Sequence, residues 1–187
     1  MSDSNIPSIW IDNLLKDLER IKISKGDYYL KTGDKVSSIG YVFKGLFKLV
    51  IQQKNRSIIK DFCVETDFLG SYGSILTGEP ISFDIIAMED SEIYVGNLNK
   101  VLESHRDTFE YLKLSKFYLE DVYLKKDDKD FDFMITGIEE KYVRFLELYG
   151  KHLKRISKEE IASYLCITYS SFLRFEKKFK TQISNEI

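Results

Sequence analysis

Between Thr168 and Lys180 the sequence sets four basic residues, Arg174, Lys177, Lys178 and Lys180, against a single acid, Glu176. Tyr169, Ser170 and Ser171 add hydroxyls to the same stretch, and Phe172, Phe175 and Phe179 recur at i, i+3 and i+7. This spacing predicts a helix with one aromatic face turned inward and polar, cationic groups elsewhere. Such a surface suits DNA. Ammonium and hydroxyl groups bind phosphate oxygens, which positions a helix, whereas a guanidinium forks onto the two acceptors of a guanine edge, which specifies a base. No other constellation offers comparable chemistry. No nucleophile–base pair, HExxH, lysine-bearing phosphate loop or close carboxylate pair stands out, so catalysis is not expected. His105 and His152 lack metal-ligand spacing, and no metal site or cofactor is predicted. Cys63 and Cys166 form no CxxC pair and are expected as reduced thiols in the core of a cytoplasmic protein.

The preceding residues decide how this helix is held. Ser157 is a natural N-cap, and Glu160 three positions later completes a capping box. Ile161, Tyr164 and Leu165 then give a first short helix its apolar face. The periodicity breaks at Cys166 to Thr168, and Thr168 can cap the second helix. Two short helices, a tight turn and a basic second helix form the pattern of a DNA-reading helix-turn-helix. An ordinary αα-hairpin with a solvated basic face has the same pattern, and the stretch alone does not separate the two.

Composition sets the wider bounds. The chain has 187 residues, 43% hydrophobic and 14% aromatic, enough for one good core with or without a small satellite domain. No apolar run approaches the roughly 18 residues that a membrane span needs, and MSDSNIPSIW does not read as a signal peptide. A cytoplasmic protein without a membrane partner is expected. Charge is unevenly divided: Gly137 to Ile187 carries ten basic and seven acidic residues, although the whole chain is at −2. A mildly basic end beyond an acidic body points to nucleic acid for that end alone.

Upstream, Ser8 to Arg20 reads as an amphipathic helix, followed by short β-rich runs that include Ile21 to Ile23, Tyr28 to Leu30, Tyr41 to Phe43, Leu46 to Ile51 and Ile58 to Val64. Gly26, Gly33, Gly45 and the Gln53 to Arg56 segment punctuate them. Two further strands, near Phe83 to Met88 and Glu92 to Leu98, follow a glycine-punctuated insertion at Gly70 to Pro80. So many short strands predict an antiparallel sandwich or barrel. Asn99 to Ser104 reads as a short helix and Asp107 to Lys126 as a long one. The long helix bears two apolar stripes, Phe109, Leu112, Leu119 and Tyr123 beside Tyr111, Leu114, Tyr118 and Val122. Two burial surfaces suggest one stripe on the barrel and one on a partner helix across a homodimer. Phe133 to Gly137 reads as a hinge, and Ile138 to Tyr149 as a helix with Gly150 as its C-cap.

In this order, KGDYYLKTGDKVSSIGYVFKGLFKLV (Lys25 to Val50), DFLGSYGSILTGEP (Asp67 to Pro80) and ISKEEIASYLCITYSSFLRF (Ile156 to Phe175) resemble the CRP/FNR family of bacterial transcription regulators. The resemblance covers nearly the whole chain and is more specific as an ordered set than in any one motif. It implies an α+β fold. An antiparallel β-roll (double-stranded β-helix) sensor of the cyclic-nucleotide-binding type would occupy residues 1–105. A dimerisation helix and hinge would fill 106–134, and a helix-turn-helix domain 135–187, winged-helix-like with a short or missing wing. The implied partners are double-stranded DNA, read at a palindromic operator, and a second copy of the chain. RNA polymerase and a small-molecule effector are further candidates. The implied DNA-binding residues are Tyr169, Ser170, Ser171, Arg174, Lys177 and Lys178, with Arg174 at the position that often contacts a guanine. Gly70, Ser71, Tyr72, Gly73, Ile81 and Ser82 would line the effector pocket.

Three departures qualify these expectations. Members that bind cyclic AMP hold its ribose with a glutamate and its phosphate with an arginine, and Ser71 and Ile81 stand where those residues would be. Isoleucine gives a phosphate no charge-assisted bond, so cyclic AMP is not expected in the usual mode and the effector is left unassigned. Cys166 replaces the usual glycine of the turn, which would then either hold a left-handed residue at some cost or adopt another geometry. A ligand-binding or protein-interaction module whose helix-turn-helix no longer reads DNA is the competing expectation.

Overall fold

The computed structural model describes residues 15–16, 18–54, 56–97, 112, 116, 119–120, 123–124 and 137–185. Eight strands come first: β1 Glu19–Ile23, β2 Tyr28–Leu30, β3 Ser38–Lys44, β4 Phe47–Gln53, β5 Arg56–Cys63, β6 Phe68–Leu69, β7 Asp84–Ala87 and β8 Ser91–Asn97. A one-and-a-half-turn helix, α1 (Tyr72–Thr77), interrupts them. The strands form two antiparallel sheets, ordered β1-β8-β3-β6 and β2-β7-β4-β5. The chain passes repeatedly from one sheet to the other, which makes a β-roll and matches the expected α+β class.

Alternation along the strands fills the roll. Val42, Phe47, Leu49, Leu69, Ile81, Ile85 and Ile93 point inward into a core that also takes Cys63, Phe83 and Ala87. Gly45, in the β3–β4 turn, has a φ of +131° and lies so close to Ser91 that a Cβ would sit 2.1 Å from its Oγ. Only glycine allows that approach.

β4 separates two cores. Phe47 and Leu49 face into the roll, while Val50, and Leu46 just ahead of the strand, face out towards the C-terminal helices. β5 does the same by a different device. Val50 pairs with Ile59 and Leu49 with Asp61, leaving Lys60 as the extra residue of a β-bulge. The bulge shifts the alternation, so Ile59 and Phe62 both reach the outer core.

Those helices are α2 (Ile138–Tyr149), a 3-10 turn (Gly150–Arg155), α3 (Lys158–Tyr164) and α4 (Tyr169–Asn185). Tyr142, Phe145 and Tyr149 of α2, Ile161 and Leu165 beside the turn, and Phe172 and Phe179 of α4 pack with Leu46, Val50, Ile59, Phe62 and Met88 of the roll. Edge-to-face and tilted ring contacts tie them together, with Phe62 touching Phe145, Tyr149 and Tyr164 at centroid separations of 6.3, 5.3 and 5.8 Å.

Several expectations shift. Glu19 and Arg20 open β1 rather than closing a helix, because Arg20 pairs opposite Tyr94, stacks over the Phe43 ring at 4.1 Å and forms an ion pair with Glu92. Gly150 is the C-cap of α2 as expected, but with a right-handed φ of −56° rather than a left-handed one, so the chain turns directly into the 3-10 segment. Cys63 is buried as expected, but Cys166 is exposed. Residues 8–14, the helix expected at Asn99 to Ser104 and all of the expected hinge except Gly137 lie outside the described residues. Of the long helix, Leu112, Lys116, Leu119, Glu120, Tyr123 and Leu124 are described, and each is helical.

Because Phe62 belongs to the roll but fills the core of the helices, Phe62→Ala should loosen both. The expected cost is about 3–5 kcal/mol. In urea, circular dichroism of the helices and of the aromatic rings should show one coincident transition at a lower midpoint. Two separated transitions would show that the two parts are stabilised independently.

Candidate nucleic-acid interface

The helix-turn-helix is built from local signals. The Ser157 hydroxyl accepts from the Glu160 N–H at 3.2 Å, and the Glu160 carboxylate accepts from the Ser157 N–H at 3.0 Å. This is the expected capping box. At the other end of α3, the Cys166 N–H donates to the Ser163 carbonyl at 3.1 Å and the Ile167 N–H to the Ala162 carbonyl at 3.0 Å. That pair of bonds is a Schellman motif with Cys166 at the left-handed position, φ 58°. Cysteine thus fills the role usually given to glycine and bears the strain. The Thr168 hydroxyl then accepts from the Ser171 N–H at 3.2 Å, starting α4 as expected.

Burial divides α4 cleanly. Phe172 and Phe179 are buried and Phe175 is half-buried, as their spacing predicts. Tyr169, Ser170, Leu173, Arg174, Lys177 and Lys178 are exposed, and Ser171 is half-buried. Five of the six expected DNA-binding residues therefore share an open surface. The Ser171 hydroxyl instead takes a 2.8 Å bond from Thr168, with the Arg174 guanidinium 3.5 Å away. Glu176 lies on the inner side, ion-paired to Lys158 and Lys180 at 2.7 Å each. Burial raises its pKa, but the two ammonium groups outweigh that and hold the carboxyl below its ordinary range. The single acid of the stretch is thereby neutralised away from the exposed face.

Polar contacts seat the unit on the roll. Arg155, ending the 3-10 turn, forks onto Glu65 at 2.8 and 2.9 Å and onto Glu89 at 2.7 and 3.2 Å. Burial pushes the Glu65 carboxyl up, but the guanidinium and the Gly45 N–H prevail and hold its pKa at about 2. Lys48 of β4 meets Glu160 at 2.9 Å. The Ser163 hydroxyl bridges the outer strand, accepting from the Ile59 N–H at 3.1 Å and donating to the Ser57 carbonyl at 3.2 Å. Tyr149 donates to the Asp61 carboxylate. Sequence reasoning did not single out Arg155, Glu65, Glu89 or Ser163, because partners 66 to 106 residues apart leave no local signal.

The residues expected to line an effector pocket run from the end of β6 through α1 to the loop before β7. The Ser71 hydroxyl caps α1 by accepting from the Ser74 N–H at 3.2 Å. The Gly73 carbonyl accepts from the Thr77 hydroxyl, and Tyr72 is half-buried. Ile81 is pinned to Gly33 and Asp34 by backbone bonds of 2.8 and 3.0 Å, with its side chain in the roll core. Gly70 has φ +143°, and Ser82 is exposed. Among the described residues no cluster of three or more histidine, cysteine or carboxylate side chains could hold a metal, and no helix is long and apolar enough to cross a membrane.

Residues 20–106 match the family model of the cyclic nucleotide-binding domain. The match ends before the helix-turn-helix, which solved structures cover. The cyclic di-GMP-responsive global regulator CLP of Xanthomonas campestris superposes with a TM-score of 0.72 at 15% identity, over 94% of this chain and 92% of its own. A CooA variant from Carboxydothermus hydrogenoformans gives 0.75 at 15% identity, over 97% and 87%. The catabolite activator protein of Thermus thermophilus gives 0.56 at 17% identity, over 95% and 85%. No curated protein sequence matches significantly. The fold is a cyclic-nucleotide-binding-like roll joined to a helix-turn-helix, in the order found in these proteins.

Two outcomes follow from this geometry. Cys166→Gly should relieve the left-handed strain without losing a packed side chain, raising stability by up to about 1 kcal/mol in urea unfolding. Glu65 has a folded pKa of about 2 against an ordinary 4.5. Its contribution is therefore complete above pH 4.5 and is lost as pH falls towards 2. Arg155→Ala should shrink, without abolishing, the difference in unfolding midpoint between pH 6 and pH 3, because the fork lowers the Glu65 pKa more than the remaining Gly45 N–H bond does. An unchanged difference would assign the acid sensitivity elsewhere.

Proposed function

We propose that the chain is a DNA-binding transcription regulator of the CRP/FNR type, acting as a homodimer on a palindromic operator. The observation that carries this reading is the two-sidedness of α4. Its aromatic side is buried, its one acid is neutralised inward, and Tyr169, Ser170, Arg174, Lys177 and Lys178 remain open together. Arg174 is the candidate for guanine recognition, and Lys177 and Lys178 for phosphate. The similar proteins include a global regulator tied to gene expression and a catabolite activator, which supports the same direction.

The second copy is supported by the long helix. Leu112, Leu119 and Tyr123, at i, i+7 and i+11, are all exposed in the single chain. An apolar row at that spacing suits a parallel partner helix, which would set two copies of α4 about one turn of DNA apart. Cyclic AMP in the usual mode is disfavoured, because Ile81 brings an apolar side chain to the core where the family places a cation. Any effector would therefore be recognised differently. RNA polymerase is the natural second partner of a regulator of this type.

The competing reading, an interaction module that does not read DNA, draws on the shared core. Helices α2 to α4 cover the outer face of the roll through a core that uses none of the exposed residues of α4. Selection from random duplex DNA separates the two. The ligand-free protein should enrich a two-fold palindrome, and Arg174→Ala should relax one base per half-site at a cost of about 1–3 kcal/mol. Lys177→Ala should weaken binding to every sequence and lower the salt slope by about one unit. Enrichment of no sequence, with a shallow salt dependence, would favour the interaction module.

A further inference from the structure

Leu173 belongs to neither the buried core nor the ion pairs of α4. It lies on the exposed side of α4, 37% accessible, one turn after Tyr169 and next to Arg174. The buried side of the same helix is already filled by Phe172, Phe175 and Phe179, so Leu173 adds nothing to that core. With Tyr169, 42% accessible, it makes an apolar island inside a cationic surface.

An exposed leucine among DNA-facing cations discriminates by what it cannot do. It donates and accepts no hydrogen bond. Pressed against the major-groove edge of guanine, cytosine or adenine, it would strip water from donors and acceptors and leave them unsatisfied. The thymine methyl is the one apolar group on that edge, and contact with it costs no hydrogen bond. The flanking charges of Arg174 and Lys177 argue for DNA as the occupant of this face.

Resting on the regulator reading, we infer that Leu173 is a specificity-determining residue that reads a thymine methyl group in each half-site, beside the base contacted by Arg174. The rejection of other bases is the larger part of its effect.

The test uses the full-length protein and the palindrome recovered by selection. Each thymine of a half-site is replaced in turn by deoxyuridine, which removes only the methyl group. The wild-type chain should bind one such duplex about three- to fivefold more weakly. Leu173→Ala should bind the thymine and deoxyuridine duplexes equally and, in a repeated selection, lose its thymine preference there while keeping the Arg174-dependent base. Equal binding of every deoxyuridine duplex by the wild type would overturn the inference, as would undiminished discrimination in Leu173→Ala. A changed oligomeric state in Leu173→Ala would also overturn it, by showing that this face meets protein. Failure to recover any palindrome would remove the regulator reading itself, an outcome distinct from recovery without methyl dependence.

Discussion

Everything from Ile138 onward depends on one burial event, the packing of Tyr142, Phe145, Tyr149, Ile161, Leu165 and Phe172 against the outer face of β4 and β5. Three short helices bury little by themselves. Sheet-borne Leu46, Val50, Ile59, Phe62 and Met88 supply the missing wall. The polar contacts are secondary in energy but decide position. Arg155, Ser163 and Tyr149 each meet a different point of the roll and so fix the orientation that the apolar contacts leave loose. The exposed face of α4 is therefore held by the far side of its own helix.

Local chemistry was legible in the sequence. Ser157 and Glu160 announced their capping box, Thr168 its cap, and the three phenylalanines the inner face of α4, because each signal lies within a few residues of its partner. The strands could be placed from alternation and glycine punctuation, apart from two-residue β6, which is too short to show a period. Cys166 was readable as a left-handed position only through the glycine expected there, and the structure places it so.

What could not be read is equally physical. Lys60 gives no sign of being a bulge, since a bulge is defined by the partner strand. Gly150 ends α2 as its type suggests, but its right-handed backbone was not legible, since it goes with the 3-10 turn that carries Arg155 to Glu65 and Glu89. Val143 and Tyr142 are both apolar neighbours on α2. Only docking decides that the ring goes inward and that Val143 stays at the surface. The candidate effector residues share this difficulty. Ser71 was singled out as the residue in place of a ribose-binding glutamate, and its hydroxyl accepts from the Ser74 N–H at the start of α1.

β4 is a partition between two rooms, with Phe47 and Leu49 furnishing one and Leu46 and Val50 the other. Such a strand tolerates changes of side chain far better than changes of length. One residue gained or lost ahead of it would exchange its faces, sending Lys48 into the roll and Leu49 towards the helices, and both cores would fail at once. Over evolutionary time, insertions in this region should therefore collect at the Gln53 to Arg56 turn, which carries no wall, while β4 keeps its residue count even as its sequence drifts.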